Sequence, residues 1–127
     1  YLLHQFLSPI ANHRDDAYGG ALAQRMRFPL EVFEAVRAAV PAAVPVGVRV
    51  SATDWLEHTD APGWTLAQTI ALATELKQRG CDWIDVSSAG ISPEQKIAVG
   101  PGYQVPLARA IREATGLATM AVGLVTE

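Results

Sequence analysis

Cysteine is nearly absent from this chain. Its one thiol, Cys81, has no partner for an internal disulfide, and its place just ahead of an apolar run marks it as a buried structural group in a reducing compartment, the cytoplasm. Long apolar runs are missing as well, and no stretch could cross a bilayer as a helix. No basic cluster accompanies the formal net charge of -3. The electrostatic footprint of a nucleic-acid or anionic-membrane binder is therefore lacking, and neither is expected as a partner. His4, His13 and His58 do not recur at a metal-ligand spacing, and Asp54, His58 and Asp60 share one segment that reads as a solvated loop, so no metal is expected. No Gly-x-Gly-x-x-Gly loop follows any apolar run, which argues against a dinucleotide-binding Rossmann domain. An initiator Met is absent too. The chain opens inside an apolar phrase, Tyr1-Leu2-Leu3, and is expected to be a piece of a longer protein.

What is present is an ordinary α/β composition. Half of the 127 residues are hydrophobic and 18% are charged, ample material for a core. Residues 1–7 read as a short helical turn or the tail of a loop, stopped by Ser8-Pro9. The polar segment 12–20, closed by Gly19-Gly20, is a structured loop, with Arg14, Asp15 and Asp16, and beyond them Arg25 and Arg27, expected as ion-paired anchors. Met26, Leu30, Phe33, Val36 and Val40 recur at three- and four-residue spacing and predict a long amphipathic helix over 22–40, ended by Pro41. Thr65 with Gln68 is a capping-box pattern that opens a second helix, and Gly80 closes it. Residues 83–87 and 117–122 read as strands, with a third helix over 105–115 between them.

The most informative run is Val44-Pro45-Val46-Gly47-Val48-Arg49-Val50-Ser51. At a period of two, Val46, Val48 and Val50 fall on one face, and Gly47, Arg49 and Ser51 on the other. In a parallel sheet covered on both faces, a lone Arg is costly unless something anionic or strongly polar meets it. Two partners fit: a ligand, or a core carboxylate such as Asp85 on the following strand. Both segments that leave a strand, 52–64 and 88–104, are long and chemically varied, whereas the returns at 80–82 and Gly116 are tight. That asymmetry puts a site at the carboxyl ends of the strands, as in a barrel or an open α/β sheet. The repeated strand-helix units predict a partial (β/α)8 TIM barrel: three parallel strands with flanking helices, about half of a barrel that needs about 250 residues.

Tyr1-Leu2-Leu3-His4-Gln5-Phe6-Leu7-Ser8-Pro9, followed by Asn12, Arg14, Asp16, Tyr18-Gly19-Gly20 and Arg25-Met26-Arg27-Phe28, resembles the segment after strand four in the Old Yellow Enzyme family of flavin-dependent ene-reductases. Val48-Arg49-Val50-Ser51, Ile84-Asp85-Val86-Ser87-Ser88, Pro101-Gly102-Tyr103-Gln104-Val105-Pro106 and Ala121-Val122-Gly123-Leu124 are similar to its bacterial NADPH dehydrogenase branch. The resemblance covers nearly the whole chain and implies that residues 1–127 are a fragment of one FMN-binding barrel domain. NADPH or NADH would reduce the FMN, which then passes hydride to an electrophilic small-molecule alkene. By the same resemblance, Arg49 stands beside the pyrimidine edge of the flavin, where a fixed guanidinium suits the negative charge near N1. Gly123 matches a strand-end glycine of the phosphate-binding region, although a plain turn glycine fits the sequence equally. Tyr1 matches the family's proton donor to the substrate α-carbon, a task suited to a phenol. Ala21 and Gln24 depart from the family's more usual Ser and Asn and concern helix packing. A homo-oligomeric parent is expected. Two alternatives stay open: a dienoyl-CoA reductase-like relative, and a truncated half-barrel with no activity of its own.

Overall fold

Thr65 opens one of the best-marked helices of the chain. Its hydroxyl accepts the Gln68 N–H at 3.4 Å while the Gln68 side-chain carbonyl accepts the Thr65 N–H at 3.2 Å, a reciprocal cap that satisfies two donors at the helix start. At the far end Gly80, at φ +85°, takes the left-handed conformation that lets the chain turn directly into a strand. The computed structural model describes residues 1–126, and within them the elements run α1 (Leu2–Leu7), α2 (Leu22–Ala39), β1 (Gly47–Ser51), α3 (Leu66–Gln78), β2 (Trp83–Ser87), α4 (Val105–Thr115) and β3 (Ala118–Ala121).

The strands form one parallel sheet in the order β1-β2-β3, with Arg49 opposite Asp85, Ser51 opposite Ser87, and Asp85 opposite Met120. One face of it is the floor of the core. Val50, Ile84 and Val86 are buried there in a single cluster with Phe33 of α2, Leu72 and Leu76 of α3, and Leu107 and Ile111 of α4. Each such side chain contributes about 1.5–3 kcal/mol relative to exposure. Cys81 is buried in the same cluster.

The opposite face differs from the sequence expectation of a sheet covered on both sides. It carries Gly47, Arg49, Trp83, Asp85 and Met120, and Arg49 and Met120 are exposed. In a closed barrel this face is the interior, and three strands leave it open. Gly47 is required on it, because a Cβ there would stand 2.2 Å from the Trp83 ring across the strand pair. Strand β1 is also shorter than 44–51. Pro45 has no N–H for a ladder, and Val46 instead bonds Asp82, accepting its N–H at 2.9 Å and donating to its carboxylate at 2.7 Å.

The long loop before α2 holds a further correction. Arg14 pairs with Asp16 as expected. Arg25 pairs with no carboxylate among the described residues: it is buried, donates to the Leu7 and Gly20 carbonyls, and lies 5.8 Å from the Trp64 ring centroid. Arg27 likewise stands over the Tyr18 ring at 5.9 Å.

Candidate functional site

The carboxyl ends of the three strands, with the start of α1, surround an open cleft of about 670 Å³. Tyr1, Arg49 and Gly123, the three residues singled out from the sequence, all line it, together with Ser88, Tyr103 and Gln104. They lie 48 and 74 positions apart in the chain, and the parallel order of the strands is what brings them together.

Arg49 has both kinds of surroundings that its position allowed. One terminal guanidinium nitrogen donates to Asp85 Oδ2 at 2.9 Å, yet the Arg49 side chain remains 60% exposed, against 13% for Asp85. The pair is therefore a cross-strand bond, and among the described residues nothing else pairs with the guanidinium, whose other edge faces the cleft. Asp85 Oδ1 is buried and has no donor among the described residues, and an unpaired buried acceptor carries a desolvation cost.

The loops around this pair are fastened by side chains. Ser51 donates to the Ala89 carbonyl at 3.0 Å and Ser87 to the Val50 carbonyl at 3.0 Å, so neither hydroxyl is free as a nucleophile. Ser88 donates to Gln104 Oε1 at 2.6 Å, and Gln104 Nε2 donates to the Val122 carbonyl at 2.9 Å. This nearly inaccessible amide ties the segment after β2 to the end of β3, a role that no local pattern in the sequence announced. Gly123 follows at φ +102°, where a Cβ would stand 2.6 Å from Gln104 Nε2. Only glycine fits the turn and the close approach.

Tyr1 is the N-cap of α1 and is 84% exposed. Its ring lies against Gly90, at φ +97°, where a Cβ would come within 2.7 Å of the ring and 2.9 Å of the phenol oxygen.

Asp54 was expected in a solvated loop and is instead completely buried. His4 Nε2 bonds its Oδ1 at 2.8 Å, and Ser8 Oγ and the Trp64 N–H donate to its Oδ2 at 2.6 and 2.7 Å. Burial pushes this carboxyl up, but the bonds from His4, Ser8 and Trp64 outweigh it and hold the pKa below its usual value. An ionised Asp54 only accepts, so the proton between the two rests on His4 Nε2. His58 and Asp60 do not join this group. Among the described residues no cluster of three or more His, Cys, Asp or Glu could hold a metal ion, and no helix is long and apolar enough to cross a membrane.

A second cavity of about 270 Å³ lies between α1, α2, α3 and β1. Its walls are chiefly aliphatic, with Leu7, Val32, Leu72 and Val48 among them, and it shares His4 and Arg49 with the strand-end cleft.

The family model described as the NADH:flavin oxidoreductase / NADH oxidase family matches residues 1–127. Among curated proteins, an NADH:flavin oxidoreductase of Gibberella zeae is 48% identical over 125 residues, a match that covers 91% of this chain and 30% of that protein. An NADPH dehydrogenase of Geobacillus sp. is 45% identical over 126 residues (99% and 35%), and one of Bacillus subtilis is 43% identical over 127 residues (100% and 36%). The chain thus spans about a third of the length of these relatives. Among solved structures, a 2-naphthoyl-CoA reductase in complex with 2-naphthoyl-CoA superposes with a TM-score of 0.85 at 26% identity, over 100% of this chain and 19% of that one. A histamine dehydrogenase from Rhizobium sp. 4-9 superposes with a TM-score of 0.73 at 27% identity, over 95% and 17%.

Proposed function

Because the chain belongs to the NADH:flavin oxidoreductase / NADH oxidase family, we propose that residues 1–127 form part of a single FMN-binding TIM-barrel domain and that the whole protein is an NAD(P)H-dependent ene-reductase. Bound FMN would supply the redox chemistry, accepting hydride from NADPH or NADH and giving it to the β-carbon of an electrophilic alkene. The residues of the cleft fit that group. Among the described residues, Arg49 presents one unpaired edge of its guanidinium at the strand ends, and Asp85 Oδ1 is a buried acceptor without a donor. Gly123 has no side chain to obstruct a phosphate approaching its backbone.

Within this reading Arg49 holds positive charge where the flavin is electron-rich, and Asp85 keeps the guanidinium from swinging away. Tyr1 stands at the mouth of the cleft and donates its phenolic proton to the substrate α-carbon. The whole protein would act on small molecules in the cytoplasm, as a homo-oligomer. The likeness to a 2-naphthoyl-CoA reductase favours a second reading, a relative of the dienoyl-CoA reductases. The 43% to 48% identity to NADPH dehydrogenases and an NADH:flavin oxidoreductase, against 26% to that structure, weighs for the first.

The observation that carries the proposal is the half-free guanidinium of Arg49. Replacing it by Ala in the full-length protein should weaken FMN binding by about ten-fold or more and lower the flavin potential, since a charge-assisted hydrogen bond is worth roughly 1.5–3 kcal/mol. Lys should restore only part, because a point charge does not replace a planar fork. Cofactor titration and potentiometry read both quantities. Unchanged FMN affinity with an unchanged potential would reduce Arg49 to a cross-strand ion pair.

A further inference from the structure

Helix α1 cannot hold itself in place. It has six residues, no side-chain N-cap and only His4 and Leu7 buried, and a helix of that length is far from stable on its own. Its position is set by what grips its last turn. His4 and Ser8 both bond the fully buried Asp54 carboxylate, and Trp64 N–H completes the carboxylate's shell from the loop between β1 and α3. Arg25 holds the Leu7 carbonyl from α2. At the other end, Tyr1 is exposed and touches Gly90 through its ring. His4 and Tyr1 line the same cleft, three residues apart on a helix that rises about 1.5 Å per residue. The Tyr1 backbone therefore stands about 4.5 Å along the axis from that of His4, the first residue of the helix tied down by a side-chain bond.

We propose that Asp54 is a positioning residue for Tyr1: by clamping His4 and Ser8 it fixes α1 as a rigid arm and so sets where the phenol stands at the mouth of the cleft. Asp54 is buried and touches no substrate; it acts through α1. This rests on the reading of Tyr1 as the proton donor. A proton donor displaced by about 1 Å loses on the order of 100-fold in rate, so an anchor of this kind shows in the chemistry before it shows in cofactor binding. His4 belongs to the same clamp. Its Nε2 does the work, and its buried Nδ1 has no partner among the described residues.

The test uses the full-length flavoprotein with Asp54→Asn, His4→Gln, His4→Leu, Tyr1→Phe and the Asp54→Asn/Tyr1→Phe double variant. Stopped flow follows flavin reduction by NADPH and reoxidation by an enone separately. Asp54→Asn should slow reoxidation by about ten-fold or more and leave reduction within about two-fold. In the Tyr1→Phe background the same change should add less than about two-fold, because the two act on one step. Gln, whose amide N–H can stand where His4 Nε2 does, should keep most of the rate that Leu loses; this pair decides the matter if Asp54→Asn does not fold. Equal slowing of both halves, or an undiminished Asp54 effect without the phenol, overturns the proposal and leaves a structural carboxylate. A fluorine resonance from 3-fluorotyrosine at position 1 separates the two readings. If Tyr1→Phe is kinetically silent, the proton-donor role fails. A resonance that still moves in Asp54→Asn then supports the positioning, and one that stays put overturns it.

Discussion

A single carboxylate shows how far a residue's neighbours lie from it in sequence. Asp54 accepts from groups 50, 46 and 10 positions away, and no spacing rule reaches two of them. Its pKa lies below that of an unfolded Asp, about 3.9, so its contribution to stability is fully present above that value and is lost as pH falls through the folded one. Asp54→Asn in the full-length protein should cost roughly 2–4 kcal/mol at pH 7, the scale for removing a charged acceptor from buried donors. Denaturant midpoints of the two proteins should begin to draw together below about pH 4, where the unfolded carboxyl takes up a proton and the native one does not, and should meet only below the lower folded pKa. A gap that stays constant from pH 7 to pH 3 would show that charge plays no part. Arg25 teaches the same lesson from the other sign: its partners are backbone carbonyls and an indole face, invisible to a search for opposite charges.

At the scale of elements, helices were legible to within about a residue wherever a stop or cap stood in the text. Gly80, Gly116 and Pro41 each mark an end, and α4 occupies the expected 105–115. Strand ends were less legible, because a ladder ends where its partner does. The start of α2 is the weakly built junction. Ala21 sits at the N-cap with extended angles, φ -61° and ψ 151°, but offers no side-chain acceptor, and Gln24 Oε1 reaches back to its N–H at 3.3 Å. Ala21→Ser would add a side-chain acceptor for the N–H groups of the first turn and should stabilise the full-length protein by about 0.5–1 kcal/mol, read as a higher denaturant midpoint with an unchanged slope. Pro29 lies inside the same helix and has no N–H for the Arg25 carbonyl one turn back. Its burial in the packed face offsets that loss, and the amphipathic spacing on either side hid it from the sequence reading.

Taken whole, the molecule has a finished side and an unfinished one. The helix side of the sheet closes over one core cluster, while β1 and β3 each expose an edge and the opposite face exposes Arg49 and Met120. Parallel edges of this kind invite other chains. The 127-residue chain made alone should associate or aggregate and should neither retain FMN nor reduce an enone. Gel filtration with absorbance near 450 nm checks this, and a soluble monomer with stoichiometric flavin would contradict it. The cleft was legible at this scale from loop lengths alone; the open face was not, because a period of two says which residues share a side and nothing about what covers it. The buried Cys81 adds a different kind of access to the finished side. Its thiol is held up in pKa by burial and points its hydrogen at the Trp83 carbonyl, so it is shut away from alkylating reagents while α3, α4 and the sheet stay together. The pace at which it can be labelled is then a clock for how often that core breathes, started and read without touching the face where the chemistry is done.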